Sequence, residues 1–350
     1  MPSDKILVIG PSWVGDMVMA QALYRLLAER RPGAPIHVVA PEWSEAILAR
    51  MPEVERRIPL PVRHGELGLA KRYALGRRLR GERYAQAIVL PRSAKAALVP
   101  LFAGVPRRTG FRGEWRYGLL NDVRPFEPRR LDQTVKRFVA LGLEPGEGLP
   151  GTLPQPRLTV DADNQRRLRE RLGLGAPALL ALMPGAEYGP AKRWPLERFA
   201  ALAARAAGEG ADVIVLGSAK ERPAGEEIVA TAGGSRVRNL CGETSLADVV
   251  DLLAASAAAV TNDSGLMHVA AAVGTHVVAI YGSSSPRFTP ALTDDKTVFW
   301  LELACSPCFA RDCPLGHLRC LREIDPDAVW PAVERRLANG GPPRRRRADG

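Results

Sequence analysis

Three groups of residues have the types and spacing for bond-making chemistry. Asp16 follows Gly15 in the loop GPSWVGD, between an apolar run at residues 5–10 and a helical pattern. A carboxylate in such a turn, beside a glycine that lets a substrate approach the backbone, suits a general base. It equally suits the first turn of a helix, where negative charge is favoured. Ser12 and Trp13 share this loop, one as a hydrogen-bonding side chain and the other as apolar lining or core. The second group lies in GAEYGPAKRWP, where Lys192 and Arg193 can neutralise a departing diphosphate and Glu187 can accept from a hydroxyl. The third is TNDSGLMH, in which Thr261, Asp263, Ser264 and Gly265 break a buried-strand pattern just before a short apolar helix. Oxygens and free N–H groups collected at a helix start suit phosphates or a sugar ring. Asp263, being anionic, would accept from sugar hydroxyls or from Lys192. His268 falls one turn after Ser264 on the same helix face. Ser218 and Glu221 follow the strand pattern ADVIVLGS and are candidates for a nucleoside, although a strand-end Ser and a helix-start Glu also serve as a plain cap.

Each group needs a strand end to hold it, and the chain supplies one every time. KILVIG, IHVVA and AQAIVL read as buried strands in the first half, with an edge-like VERRIPL and helices at 42–51, 66–83 and 131–143. PALLALMPGA, ADVIVLGS, VRNLCGE, the run at 257–260 and HVVAIYG continue the alternation in the second half. EPGEGLPGTLPQPRL at 144–158 is the clearest linker. The expected organisation is therefore α/β, with one Rossmann-like domain at 1–150, a second at 151–330, and at 331–350 the end of a final helix and a disordered Arg-rich tail. Two such halves would make a cleft at their facing strand ends.

The formal charge is +11, and residues 1–160 hold all of that excess, with 26 Lys and Arg against 15 Asp and Glu. An anionic partner is expected on the first domain. Arg92 and Lys95 lie past the third strand pattern, and Arg112 and Arg116 are interleaved with Phe111, Trp115 and Tyr117. Basic and aromatic residues in alternation suit a phosphorylated sugar or glycolipid headgroup. They suit single-stranded nucleic acid as well, but no RNA- or DNA-binding signature accompanies them, so no nucleic-acid partner is expected. The chain shows neither a signal peptide pattern nor an apolar run near membrane-spanning length. Cys305, Cys308, Cys313 and Cys320 form C-x2-C-x4-C-x6-C, which suits one structural zinc ion or a set of reduced thiols; disulfides do not fit a chain without an export signal.

Taken together, GPSWVGDMVMAQALYRLL, RTGFRGEWRYGLLNDVRP, PGAEYGPAKRWP, NLCGETSL, TNDSGLMHVAAAVG and YGSSSPRFTPAL resemble the ADP-heptose:lipopolysaccharide heptosyltransferases, in order from about Lys5 to Leu292. The resemblance implies a GT-B fold and metal-independent, inverting transfer of L-glycero-D-manno-heptose from ADP-heptose onto the first heptose of heptosyl-Kdo2-lipid A. It implies Asp16 as base and Lys192, Asp263, Gly265 and His268 as donor contacts. It also implies action at the cytoplasmic face of the inner membrane without a cofactor for catalysis; a monomer is expected. A Rossmann-type oxidoreductase or epimerase would require GxGxxG in the first loop, which is missing. A binding module without catalysis would leave Asp16 without a purpose. A GT-B transferase using another acceptor or sugar nucleotide remains open on sequence.

Overall fold

The computed structural model describes residues 4–63 and 65–339, so the Arg-rich run near the C-terminus lies outside the described residues. The chain divides into two compact units, Met1–Pro156 and Arg157–Gly350.

The first unit is built on six parallel strands: β1 (Ile6–Ile9), β2 (Ile36–Ala40), β3 (Arg56–Pro59), β4 (Gln86–Val89), β5 (Arg107–Phe111) and β6 (Asp122–Arg124). They lie in the order β3-β2-β1-β4-β5-β6. Every residue of β1, β2 and β4 is buried, which is why these strands read as continuous apolar runs. Ile6 pairs with Ile36 on one side and with Gln86 on the other. Helix Val14–Arg30 follows β1 directly, and its first turn carries Asp16. The second unit holds β7 (Leu179–Met183), β8 (Asp212–Val215), β9 (Val237–Asn239), β10 (Ala258–Asn262), β11 (His276–Ile280) and β12 (Lys296–Phe299), in the order β12-β11-β10-β7-β8-β9. Its core packs Trp194, Phe199 and Leu202 against the sheet residues Leu180, Leu182, Val213 and Val260.

Read from the β9 edge, the second sheet repeats the strand order of the first. In each, the chain builds outward from a central strand, returns, and continues on the other side. The reversals fall between β1 and β4 and between β7 and β10. In open parallel sheets, ligands bind at such switch points, beyond the carboxyl ends of the strands.

Four local expectations are corrected. The basic–aromatic segment at 107–125 contains two strands, β5 and β6, because Thr109, Gly110 and Phe111 are buried between β4 and β6. The helix expected at 42–51 is a 3-10 turn, Glu42–Ser44, followed by the single turn Glu45–Leu48. Strand β12 was not visible in the hydropathy pattern, since its residues alternate between exposed and half-buried on the sheet edge. Thr261 and Asn262 do not begin the polar turn: both complete β10 and are fully buried.

Candidate functional site

At the β1/β4 switch point, Asp16 sits partly buried in the first turn of its helix. Removal from water pushes its carboxyl up to about 6, and the charge of Arg137 opposes that rise. Arg137 lies in helix Thr134–Leu141, and its guanidinium stands 5.1 Å from the Phe126 ring centre. Arg92, just past β4, stands 4.4 Å from the same ring. One phenyl ring thus lies against two guanidinium groups, one of them close enough to influence Asp16. Sequence reasoning found Arg92 and missed Arg137 and Phe126, whose helix and loop carry no motif.

The other residues expected on this side separate into exposed and internal ones. Ser12, Trp13, Arg92 and Arg112 are exposed, and Trp13 is 52% accessible. Lys95 Nζ donates to Gly65 O at 2.9 Å, tying the loop after β4 to the one before helix Leu69–Leu79. Arg116 is not a surface contact: it is 2% exposed and donates to the carbonyls of Phe111, Pro91 and Ser93. Burial, followed by the neighbouring charge of Arg92, presses its guanidinium down to about 10. Its work is to hold the β5 exit against the β4 exit. Trp115, next to it, is 91% exposed on a left-handed backbone (φ 51) and lines a small concavity with Arg112, Tyr117 and Val123.

At the β7/β10 switch point the chemistry is reversed, with a cation in front. Lys192 Nζ donates to Asp263 Oδ2 at 2.6 Å, joining the loop after β7 to the loop after β10. Thr289 Oγ1 donates to the other carboxylate oxygen at 3.2 Å. Lys192 also lies 5.3 Å from the Tyr188 ring centre. Beneath the pair, Asn262 Nδ2 donates to Pro184 O at 2.6 Å, and the Trp194 N–H donates to Asn262 Oδ1 at 3.0 Å. A buried strand residue therefore clamps both ends of the Lys192 loop. Arg193 turns inward and donates to Ala186 O.

Helix Gly265–Val273 starts immediately after, with Ser264 at its cap position and no side-chain hydrogen bond closing the cap. His268 is buried, but Nδ1 has no partner among the described residues, so it is not a satisfied core histidine. Burial lowers its pKa to about 4, Asp263 opposing and Lys192 assisting, so the ring is neutral at pH 7. An unpartnered buried ring nitrogen costs free energy unless a ligand meets it. Thr261, expected on the ligand side, is a buried residue of β10 whose Oγ1 donates to Asn262 O at 2.8 Å and lies 3.4 Å from Ser264 Oγ at the start of this helix.

Glu221 crosses the ends of β7 and β8. Its Oε2 accepts from the Ser218 N–H at 2.7 Å, so Ser218 and Glu221 do form the cap that their positions allow. A Cβ built on Gly185 would stand 1.5 Å from Glu221 Oε1, which is why β7 leaves through a glycine. Glu187 is exposed and paired loosely with Lys220 at 3.5 Å.

Comparison with known proteins places this geometry in a family. The model described as glycosyltransferase family 9 (heptosyltransferase) matches residues 72–319. Lipopolysaccharide heptosyltransferase 2 of Escherichia coli (strain K12) is 47% identical over 334 residues, covering 93% of this chain and 96% of that protein. The Salmonella typhimurium protein of the same name is 46% identical, covering 96% and 99%. The solved structure of E. coli ADP-heptose lps heptosyltransferase II superposes with a TM-score of 0.86 at 45% identity, covering 96% of this chain and 99% of that one.

Proposed function

The chain belongs to glycosyltransferase family 9, the heptosyltransferases, and from that premise we propose how its two switch points divide one reaction. The protein transfers heptose in the biosynthesis of the lipopolysaccharide inner core, from ADP-heptose to a lipopolysaccharide acceptor. Its two parallel-sheet units are those of the GT-B glycosyltransferases.

In our reading the acceptor is the first heptose of heptosyl-Kdo2-lipid A. Asp16 takes the proton of the acceptor hydroxyl as that oxygen attacks the anomeric carbon of the donor heptose. The bond from the anomeric carbon to the β-phosphate oxygen breaks, and ADP leaves with the electron pair. Attack opposite the leaving group inverts the anomeric configuration. A base with a pKa close to the working pH is the efficient choice, and the place of Asp16, half-buried in the first turn of the helix that leaves β1, is the observation that carries this assignment, with burial raising its carboxyl to about 6. Lys192, held by Asp263, meets the charge growing on the diphosphate. The neutral His268 and the open N-terminus of its helix offer hydrogen bonds to the sugar or phosphates. Ser12, Trp13, Arg92, Lys95 and Arg112 face the acceptor, whose phosphates suit this basic edge.

No helix among the described residues is long and apolar enough to cross a membrane. Peripheral binding to the inner-membrane surface is supported by Leu67, Leu69 and Tyr73, each at least half exposed, beside the exposed cations Lys71, Arg77 and Arg78. Leu69 and Tyr73 share one helix face.

The decisive experiment offers the enzyme ADP-heptose, UDP-glucose and GDP-mannose separately, each with heptosyl-Kdo2-lipid A, and reads product mass. Heptose addition from ADP-heptose alone is expected; transfer of glucose or mannose at a comparable rate would refute the donor assignment. Sedimentation with phosphatidylglycerol vesicles tests the membrane face: Leu69→Ser with Tyr73→Ser should abolish it, while unchanged sedimentation would dismiss that surface.

A further inference from the structure

A buried hydroxyl or ring nitrogen without a hydrogen bond is uncommon in a folded protein and calls for a reason. Among the described residues six such side-chain atoms occur, and three of them stand in the segments that follow β10 and β11: His268 Nδ1, Ser283 Oγ and Ser284 Oγ. Ser283 is 1% exposed and Ser284 3%. Their neighbour Ser285 shows the ordinary arrangement, its Oγ accepting from the Arg287 N–H at 3.2 Å. Three serines in a row therefore differ, and the two that are buried with open hydroxyls lie on the donor side.

These hydroxyls do not belong to a slack loop. The Tyr281 hydroxyl donates to Thr289 O at 2.8 Å, closing the segment on itself, and Thr289 Oγ1 reaches Asp263. The Ser283 N–H donates to Ala191 O at 3.1 Å, next to Lys192, and Ser283 O accepts from the Phe309 N–H at 2.7 Å. Phe309 lies on the connection 300–318 between β12 and the short helix Arg319–Arg322. Cys305, Cys308 and Cys313 on that connection and Cys320 after it are free thiols, and among the described residues no three metal-binding side chains stand at metal-holding spacing. What the connection brings to the donor side is Phe309. Its backbone is left-handed (φ 53), a region that disfavours a bulky side chain. Its N–H and its carbonyl are both taken, the carbonyl by the Tyr188 hydroxyl at 2.7 Å. Its ring is about half exposed and meets the Phe288 ring edge-on at 5.8 Å. The Tyr188 ring, also about half exposed, lies 5.3 Å from Lys192 Nζ. The fold thus grips Phe309 by its backbone and leaves its ring partly open beside the Lys192 loop.

We propose that Ser283, Ser284 and the Phe309 ring form the subsite for the transferred sugar of the donor, the hydroxyls meeting its hydroxyl groups and the ring its apolar face. The strand order supplies the direction. Along the carboxyl ends of the second sheet the segments follow one another as β8, β7, β10, β11, β12, and they carry Glu221, Lys192, Asp263, the two serines and Phe309 in turn. A nucleotide-sugar is linear, with its diphosphate in the middle. With Lys192 on the diphosphate and the Glu221 carboxylate on the side suited to a ribose, the sugar extends toward β11 and β12. A serine hydroxyl both donates and accepts, as a sugar hydroxyl does, so two of them read a neutral polyol without adding charge beside the diphosphate. This subsite rests on the donor-side reading above and assigns its sugar end.

The test compares ADP with ADP-heptose, each titrated into the full chain by calorimetry without acceptor. Ser283→Ala with Ser284→Ala should weaken ADP-heptose binding by about tenfold to a hundredfold, since each lost hydrogen bond is worth up to about tenfold, and should leave ADP affinity within about twofold of wild type. Phe309→Ala should weaken ADP-heptose about tenfold with ADP again unaffected, and Phe309→Tyr should keep wild-type affinity for both. The ligand-free protein gives a second readout. Each single Ser→Ala change removes a buried hydroxyl that has no internal partner, so its melting temperature should stay level or rise, whereas a structural hydroxyl would lower it. Equal losses for ADP and ADP-heptose, no loss for either, or a ligand-free melting temperature lowered in both single variants overturns the subsite. If the wild-type protein binds neither ligand, the donor-side reading itself fails.

Discussion

The crevice between β1 and β4 and the crevice between β7 and β10 occupy equivalent places in one strand order, but they are dressed with opposite chemistry. The first presents a carboxylate raised by burial, with a cation nearby that opposes the rise. The second presents a cation held by an almost fully buried carboxylate. Neither sheet favours one arrangement over the other. The difference comes from the few residues that follow each strand, and from what clamps them. Asn262 pins the Lys192 loop at both ends, whereas Asp16 is placed by the first turn of a helix that starts at the strand exit. A leaving diphosphate needs charge at a fixed point, and a base needs a tuned affinity for one proton. The two crevices differ along that line.

The comparison can be broken at four points. Asp16→Asn should leave ADP binding unchanged and lower kcat by about 10²- to 10⁴-fold, the usual share of a general base; a kcat within a factor of a few of wild type would remove Asp16 from the reaction. Lys192→Ala should lower kcat/KM by about 10²- to 10³-fold and weaken ADP binding as well. It also strands Asp263, whose side chain is only 4% exposed, so its melting temperature should fall, unlike that of Asp16→Asn. The two strand-exit glycines give a sharper contrast. At Gly185 an added methyl meets Glu221 Oε1 at 1.5 Å and must displace that carboxylate, whereas at Gly10 it meets Met17 Cε at 3.1 Å and Ala40 Cβ at 3.2 Å, in the other unit and not on the donor side. Gly185→Ala should therefore raise the donor KM about tenfold or more, and Gly10→Ala should leave it nearly unchanged. Equal effects would mean that Glu221 does not define the donor side.

The smallest expected effect is on stability. The folded pKa of Asp16, about 6, exceeds the ordinary 3.8 of an exposed aspartate, so the protonated carboxyl favours folding. That contribution is complete below about pH 4 and is lost as pH rises through about 6. Asp16→Asn should thus match wild type at pH 4 and gain on the order of 2 kcal/mol at pH 8, measured by denaturant unfolding. The same titration should make wild-type kcat/KM fall as pH drops through about 6. A stability difference that is constant with pH would mean that the carboxyl is not perturbed.

The units, their parallel strands and the main site loops were legible in the sequence because buried strands and helix starts leave dense local patterns. Lys192 and Asp263 could be named separately, and a bond between them was among the readings. What stayed hidden was set by distant contacts. Arg116 looks like any surface arginine until its hydrogen bonds to Pro91 and Phe111 are seen. Thr261 looks like turn chemistry until β10 pairs through it with β11. Arg137 acquires meaning only from Phe126 and Asp16. A one-dimensional pattern carries the period of an element, and it does not carry which remote carbonyl will absorb a charge.

The shared strand order also bears on how the molecule is made. In each sheet the switch point is where strands far apart in the chain meet: Ile6 with Gln86, and Leu180 with Ala258, each about 80 residues apart. Closing such loops is entropically slow. On a ribosome, β2 can settle against β1 long before β4 has emerged, so each reactive crevice is the seam that closes late. A nascent chain exposes the edges of β1 and β7 for that interval, and it is there that chaperone contact or mispairing between chains should concentrate.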